Sequence, residues 1–461
     1  MIHRYIGDKA FYRRVLMVAL PIIVQNGITN FVSMLDNIMV GQVGTVQMSG
    51  VAIVNQLLFV FNLCIFGAVS GAGIFTAQYF GSENHQGVRY TFRFKVIIGA
   101  LLSILGITVF LTAGKPLILL YLQGDGDPLQ AAQTLSYGWE YLLIMLWGLP
   151  AFALSTAYSS TLREGNQTLV PMLAGICAVF VNLVLNYLLI GGHFGFPKLE
   201  IRGAALATVI SRYLELAIVT IWTHFHPKKN PFIVSAYRSL RIPAQLLGQI
   251  MLKGFPLLIN EALWSTGMAV LNQSYSTRGL DVVAAQNITS TIYGLSSVVF
   301  LSMGNAVGII MGQMLGANKR EEEIRDYNRK LIATSVLSCL VFGGLMAAIS
   351  TLFPKLYNTT DDVRSLATVL ICICAVMMPF NAYTNSCYFT LRSGGKTIVT
   401  FLFDSCYVWV VCVPLAFILS RYTKLPIIPL YAICQSLDIL KSTLGFFMLR
   451  TGKWIQNLAI K

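Results

Sequence analysis

Charge is what this chain has least of. Only 11% of its 461 residues are Asp, Glu, Lys or Arg, against roughly a quarter in an ordinary soluble domain. A depletion of that size excludes a water-covered surface around one core and points to lipid as the solvent. Histidine is scarce as well, five in all. Nine cysteines are scattered without metal-ligand spacing, and Cys372 and Cys374 lie inside an apolar run, where packing accounts for them better than redox chemistry. There is no H-E-x-x-H, no Ser/His/Asp arrangement and no nucleotide-binding glycine pattern; "SGGKT" lacks the spacing of a phosphate loop. The expectation is therefore a protein that is not an enzyme and has no cofactor. No signal peptide is evident, because "RYIGDKAFYRR" precedes an apolar segment too long for one and without a small-residue cleavage site.

Apolar residues supply the balance, 56% of the chain. The net charge of +14 would suit a nucleic-acid partner, but the basic residues sit in short clusters between apolar runs, the pattern of a polytopic membrane protein. Crossing a bilayer takes about 20 residues of helix. Twelve runs qualify: 15–40, 50–78, 94–114, 134–161, 168–191, 203–225, 249–277, 283–313, 330–353, 365–390, 397–420 and 426–449. The expected fold is an all-α polytopic membrane protein with twelve transmembrane helices. With the N-terminus inside, cytoplasmic segments hold 23 Lys and Arg and the opposite side 8. That asymmetry places both termini in the cytoplasm and the protein in the plasma (cytoplasmic) membrane.

The sequence also repeats itself. "NQLLFVFNLCIFGAVSGAGIFTAQYFGSEN" from Asn55 lies over "STIYGLSSVVFLSMGNAVGIIMGQMLGANK" from Ser290, a shift of 235 that superposes Pro21 on Pro256, Gln78 on Gln313 and Gly81 on Gly316. Further on, "STLREGNQT" from Ser160 meets "FTLRSGGKT" from Phe389 at a shift of 229. Loss of six residues from one loop explains the change. Each half holds an even number of spans, so both enter the membrane the same way up, implying a pseudo-two-fold axis along the membrane normal. The expected organisation is an N-lobe (1–226), a cytoplasmic linker (227–248) and a C-lobe (249–461). Repeated halves around a central site are common among secondary transporters, although a channel or receptor could be duplicated too.

Polar residues inside the spans mark the candidate site. On the first helix Asn26, Thr29, Asn30, Ser33, Asp36 and Asn37 recur at three- and four-residue steps, forming one polar stripe that lipid cannot satisfy. Interhelical hydrogen bonding is the plainer account of the amides. It does not call for Asp36, whose insertion near the bilayer centre costs about 2.5–3.5 kcal/mol. Asn182 and Asn186 share a face of the fifth helix, and Thr208 follows small residues on the sixth. Together with Asp36 they form an oxygen-rich set suited to a proton or Na⁺. The second half offers Glu261 on the seventh helix and Asp404 on the eleventh, the latter alternatively a wet interfacial residue. Asn37, Gln56, Trp264, Asn272, Asn381, Asn385 and Tyr388 are the candidate lining of a substrate cavity. Arg212 with Glu215, and Asp438 with Lys441, are three apart on their helices and expected to neutralise each other; Glu140 is expected at the interface.

Taken together, "ALPIIVQNGITNFVSMLDNIMVGQVG", "NLVLNYLLIGG" leading to "IRGAALAT", the paired "TLREGNQT" and "TLRSGGKT", and the six-plus-six repeat resemble the multidrug and toxic compound extrusion (MATE) family over essentially the whole chain. The resemblance implies a two-lobed exporter that exchanges amphipathic, often cationic solutes for inward-moving H⁺ or Na⁺, with lipid as its surroundings and one copy sufficient for function. The family's first-helix aspartate corresponds to Asp36, its fifth-helix amide to Asn182 and its sixth-helix threonine to Thr208. Where many relatives have an acid one turn after that amide, this chain has Asn186. A seventh-helix glutamate of some relatives corresponds to Glu261, and a tenth-helix aspartate falls on Asn381, again an amide. Asp404 then stands as the candidate acidic companion of Glu261. The alternative is a flippase for lipid-linked oligosaccharides or lipids from the same superfamily. Such cavities are rich in Arg, and within-span Arg here is nearly confined to Arg212, which favours cationic cargo.

Overall fold

The computed structural model describes residues 5–122 and 128–459, without the side chain of Asn37. All regular structure among them is helical: α1 Lys9–Gly41, α2 Thr45–Gly81, α3 His85–Tyr121, α4 Pro128–Met145, α5 Gly148–Glu164, α6 Leu169–Gly191, α7 Ile201–Phe225, α8 Ala244–Ser276, α9 Leu280–Gly316, α10 Glu321–Ile349, α11 Asp361–Ser393, α12 Thr397–Tyr422 and α13 Ile427–Arg450. Ten are long and apolar enough to cross a membrane by themselves. The fourth predicted run is instead two helices, α4 and α5, bent by 47°. Pro150, in the first turn of α5, has no N–H to continue the ladder from α4, so the span breaks there. That pair makes an eleventh crossing. The remaining predicted run lies in α8, a helix of 33 residues that carries Lys253 and Glu261. The result is an all-α polytopic chain of two six-span halves.

The chain divides into two compact units. One, the first unit below, comprises Val24–Thr76 and His85–Met251; the second comprises Met1–Ile23, Ala77–Asn84 and Leu252–Lys461. The chain passes between them four times: inside α1, two residues after Pro21; inside α2, after Thr76; between α2 and α3, after Asn84; and inside α8, four before Pro256. In the first unit α6 packs on α7, and α5 on both α3 and α7. Its core holds Val54, Phe61, Ile65, Ile118, Leu142 and Leu149, all buried. In the second unit α11 is central, packed against α9, α10 and α13, around Ile288, Met346, Leu370, Met378 and Leu430. Outward side chains such as Leu101, Ile104, Phe180, Leu252, Val376 and Phe447 are more than half exposed, as an apolar solvent permits.

Two polar devices hold the first unit. Lys95, fully buried, donates to Glu164 Oε2 at 2.6 Å, Ser160 Oγ at 3.1 Å and Thr161 Oγ1 at 3.2 Å, so all three ammonium donors are used. Gly73 makes the room: a Cβ there would lie 2.6 Å from Glu164 Oε1. The stretch "GAVSGAG" thus serves an ion pair as well as helix packing. The second device is the linker. Arg93 donates to the carbonyls of Ala236 at 2.7 Å, Ser235 at 2.9 Å and Arg241 at 3.1 Å, while Phe92 packs on Phe232, Tyr158 and Tyr237.

Candidate functional site

In the first unit the predicted set comes together. Asn186 and Asn182 lie one turn apart on the inward face of α6, both buried, and α1 brings Asp36 to them. Asn186 Nδ2 donates to Asp36 Oδ1 at 2.8 Å. The Asn182 amide is satisfied with its nitrogen facing the carboxylate, donating to Oδ2 at 2.9 Å and Oδ1 at 3.2 Å while its oxygen accepts from the Thr208 backbone N–H at 3.3 Å. Thr208 is spent on its own helix as a donor, its hydroxyl bonding the Ala204 carbonyl at 3.0 Å, which leaves its oxygen as an acceptor. Asn186 Oδ1 is buried with no hydrogen-bond partner. The carboxylate is therefore held by two neutral amides, with an unused amide oxygen beside it. Oxygens in such an arrangement suit a hard cation or a proton.

Two neighbours, Tyr141 and Asn55, escaped the sequence reading. Tyr141 is buried and close enough to Asp36 and Arg212 to interact with both, and its hydroxyl donates to Asn55 Oδ1 at 3.4 Å. Gln56 itself is exposed. Asn37 lies outside the described side chains. Arg212 does not simply cancel Glu215. It lies over the Phe152 ring, 5.1 Å from the centroid, with Nη1 unpartnered. Glu215 lies within electrostatic reach of Arg163, in the last turn of α5, as well as of Arg212. Glu140 does sit at the surface, paired with Arg202 at 3.0 Å.

The second unit gathers a different set. Tyr388 donates its hydroxyl to Glu261 Oε1 at 3.5 Å, and Asn260 Nδ2 donates to that hydroxyl at 3.4 Å and to Asp404 Oδ2 at 3.0 Å. Arg392 and Asp404 both lie within electrostatic reach of Glu261. Asp404 is thus near Glu261, but its other oxygen is bound by Lys441 Nζ at 2.7 Å. The ion-pair contact of Lys441 is thus made from α13 to α12, while Asp438 on its own helix still interacts with it electrostatically. Asn381 lies apart, donating to Tyr293 Oη at 3.0 Å in the packed seam between α9 and α11. Asn385 is in the same seam against Gly304, with Oδ1 buried and unpartnered. Trp264 and Asn272 are exposed. Asn260 and Lys441 were missed. The repeat carried a signal for the former, since it stands four residues after Pro256 as Gln25 stands four after Pro21. Among the described residues no group of three or more His, Cys, Asp or Glu is placed to hold a metal.

Two halves of six spans define a duplicated polytopic membrane protein. The MatE family model matches residues 21–188 and 256–418, and the chain belongs to that family. It is 25% identical over 448 residues to the "Probable multidrug resistance protein NorM" of Thermotoga maritima, covering 96% of this chain and 93% of that protein. It is 25% identical to the "Probable multidrug resistance protein YoeA" of Bacillus subtilis, covering 92% and 90%. In structure it is similar to a point mutant of the Vibrio cholerae MATE transporter VcmN, with a TM-score of 0.85 at 18% identity over 98% of this chain and 99% of that one. A transporter of the MOP superfamily from Pyrococcus furiosus superposes with a TM-score of 0.81 at 17% identity over 98% of each chain.

Proposed function

We propose that this protein is a multidrug efflux carrier that exports small amphipathic, cationic organic molecules in exchange for H⁺ or Na⁺, by alternating access of its two halves in the cytoplasmic membrane, with both termini inside. The observation that carries this reading is the Asp36 carboxylate, held by Asn182 and Asn186 with the orphan oxygen of Asn186 alongside. An acid kept at that depth without a covering cation is expensive unless it exchanges one. In this reading Asp36 takes the coupling ion, with Asn186 and Thr208 supplying neutral oxygens and Asn182 holding the carboxylate in place. Glu261 is a second acid available to a proton or to a cationic solute, with Tyr388 beside it. Asp404 takes part through its contact with Asn260. Gln56, Trp264 and Asn272 are proposed to line the route of the solute. The names of the relatives from Thermotoga maritima and Bacillus subtilis support the substrate class.

Alternating access follows from linkage. An ion favouring one conformation of the carrier and a solute favouring the other shift the same equilibrium in opposite directions, so each drives the other's release. Reconstitution into vesicles under an imposed pH or Na⁺ gradient, following efflux of a fluorescent organic cation, tests the proposal. Efflux that follows one gradient and is lost in Asp36→Asn is the expected result. Solute movement driven by neither gradient would favour a flippase.

A further inference from the structure

The second unit answers its buried acid in a way the first does not. Lys441 is 8% exposed and places Nζ on Asp404 Oδ1 at 2.7 Å, over the faces of Phe403 and Tyr407 at 5.3 and 5.9 Å from their centroids. Asp404 stands in the middle of a π-helical turn, Leu402–Cys406, a deformation common at functional sites. Asn260 grips that turn from α8. Its backbone carbonyl accepts the Ser405 hydroxyl at 2.7 Å, its Oδ1 accepts the Ser405 N–H at 3.3 Å, and its Nδ2 holds Asp404 Oδ2 at 3.0 Å. The carboxylate is fixed from both sides, by an amide and by an ammonium.

The internal repeat shows what the same position requires when charge is absent. Asn260 corresponds to Gln25, and Asp404, seven residues after Thr397, corresponds to Gly175, seven after Thr168. In the first unit the Gln25 amide lies against Gly175, where a Cβ would be 2.5 Å from Nε2, and Arg163 donates to Gln25 Oε1 at 2.7 Å. A longer amide beside no side chain has been exchanged for a shorter amide beside a carboxylate. The scaffold closes either way, so the acid is not needed for packing. Each half also sets an acid against amide nitrogen from a neighbouring helix, Asp36 against Asn182 and Asn186 and Asp404 against Asn260. On Asp36 both donors are neutral; on Asp404 one is a cation.

We propose that Lys441 is a tethered counter-cation, whose ammonium takes at Asp404 the place of a mobile cation, so that ion exchange falls to Asp36 and not to Asp404. A carboxylate buried with its ammonium is already compensated, and separating the two strands a charge. A mobile ion entering at Asp404 would have to displace a chain-borne one at very high effective concentration. The functional meaning rests on the ion-coupled reading above, but the test does not require transport.

The test uses the full-length protein in nanodiscs and in the Asp36→Asn background, which removes the first unit's carboxylate. Its melting temperature is compared in NaCl, NH₄Cl and N-methylglucamine chloride at equal ionic strength. With Lys441 present, or with Lys441→Arg, the three salts give the same value. With Lys441→Met, Na⁺ or NH₄⁺ raises it by several degrees over the bulky cation, and adding Asp404→Asn abolishes the difference. Equal melting of the Lys441→Met protein in all three salts, its failure to fold in any of them, or a salt effect that persists after Asp404→Asn would overturn the proposal. Absence of transport by the unaltered protein alongside the expected salt effect would instead refute the coupled-efflux reading alone.

Discussion

Gly81 presses on the carbonyl of Gln313, and Gly316, its counterpart in the repeat, presses on the carbonyl of Gln78. A Cβ at either position would overlap backbone, which cannot swing aside. The ends of α2 and α9 therefore cross at their closest possible approach within the second unit. Gly81→Ala and Gly316→Ala should each destabilise by about 1–3 kcal/mol, read as a lower midpoint of thermal unfolding in detergent. A neutral result at both positions would contradict so close a crossing.

The amide cradle around Asp36 gives a graded series. Hydrogen bonds to a charged group contribute about 1.5–3 kcal/mol. Asn186→Ala should therefore raise the half-saturating concentration of the coupling ion about tenfold or more, whereas Asp36→Asn should remove gradient-driven efflux outright. Gradient-dependent uptake of the ion into vesicles measures both. An unchanged ion dependence in Asn186→Ala would remove that residue from the site.

Lys95 and Glu164 form a buried pair with every ammonium donor used. Lys95→Met leaves the carboxylate of Glu164 without its cation, at a cost of about 3–5 kcal/mol. Because replacing both charges of a buried pair is often close to neutral, the double variant Lys95→Met with Glu164→Met should recover most of the loss. Thermal unfolding of the two variants side by side decides it: if the double variant is as unstable as the single, the charge is not the cause.

Three backbone carbonyls of the linker converge on the guanidinium of Arg93. Lysine cannot reproduce that fork. Both Arg93→Ala and Arg93→Lys should make cleavage by trypsin after Lys228, Lys229, Arg238 or Arg241 several-fold faster than in the unaltered protein. Equal cleavage rates would mean the linker is held by the aromatic contacts of Phe92 instead.

The amino-acid sequence determined which solvent surrounds this protein, because an 11% charged chain with twelve long apolar runs has only lipid to hide in. It also determined the doubling, and through it the matched glycines 81 and 316. Asp36 and its amides were legible because helical spacing puts them on definite faces, and lipid forbids those faces from pointing outward. Tertiary structure alone decided which partners those side chains found. Periodicity fixes a face but not which neighbouring helix it meets, so Lys441 read as the partner of Asp438 and makes its ion-pair contact with Asp404. For the same reason Arg212 and Glu215, three apart on one helix, are not an exclusive pair, Arg163 joining them from α5, and Asn381 sits in a packed seam rather than beside Glu261. Local spacing is written in the chain, whereas the direction in which a long charged side chain reaches depends on where the other helices have packed.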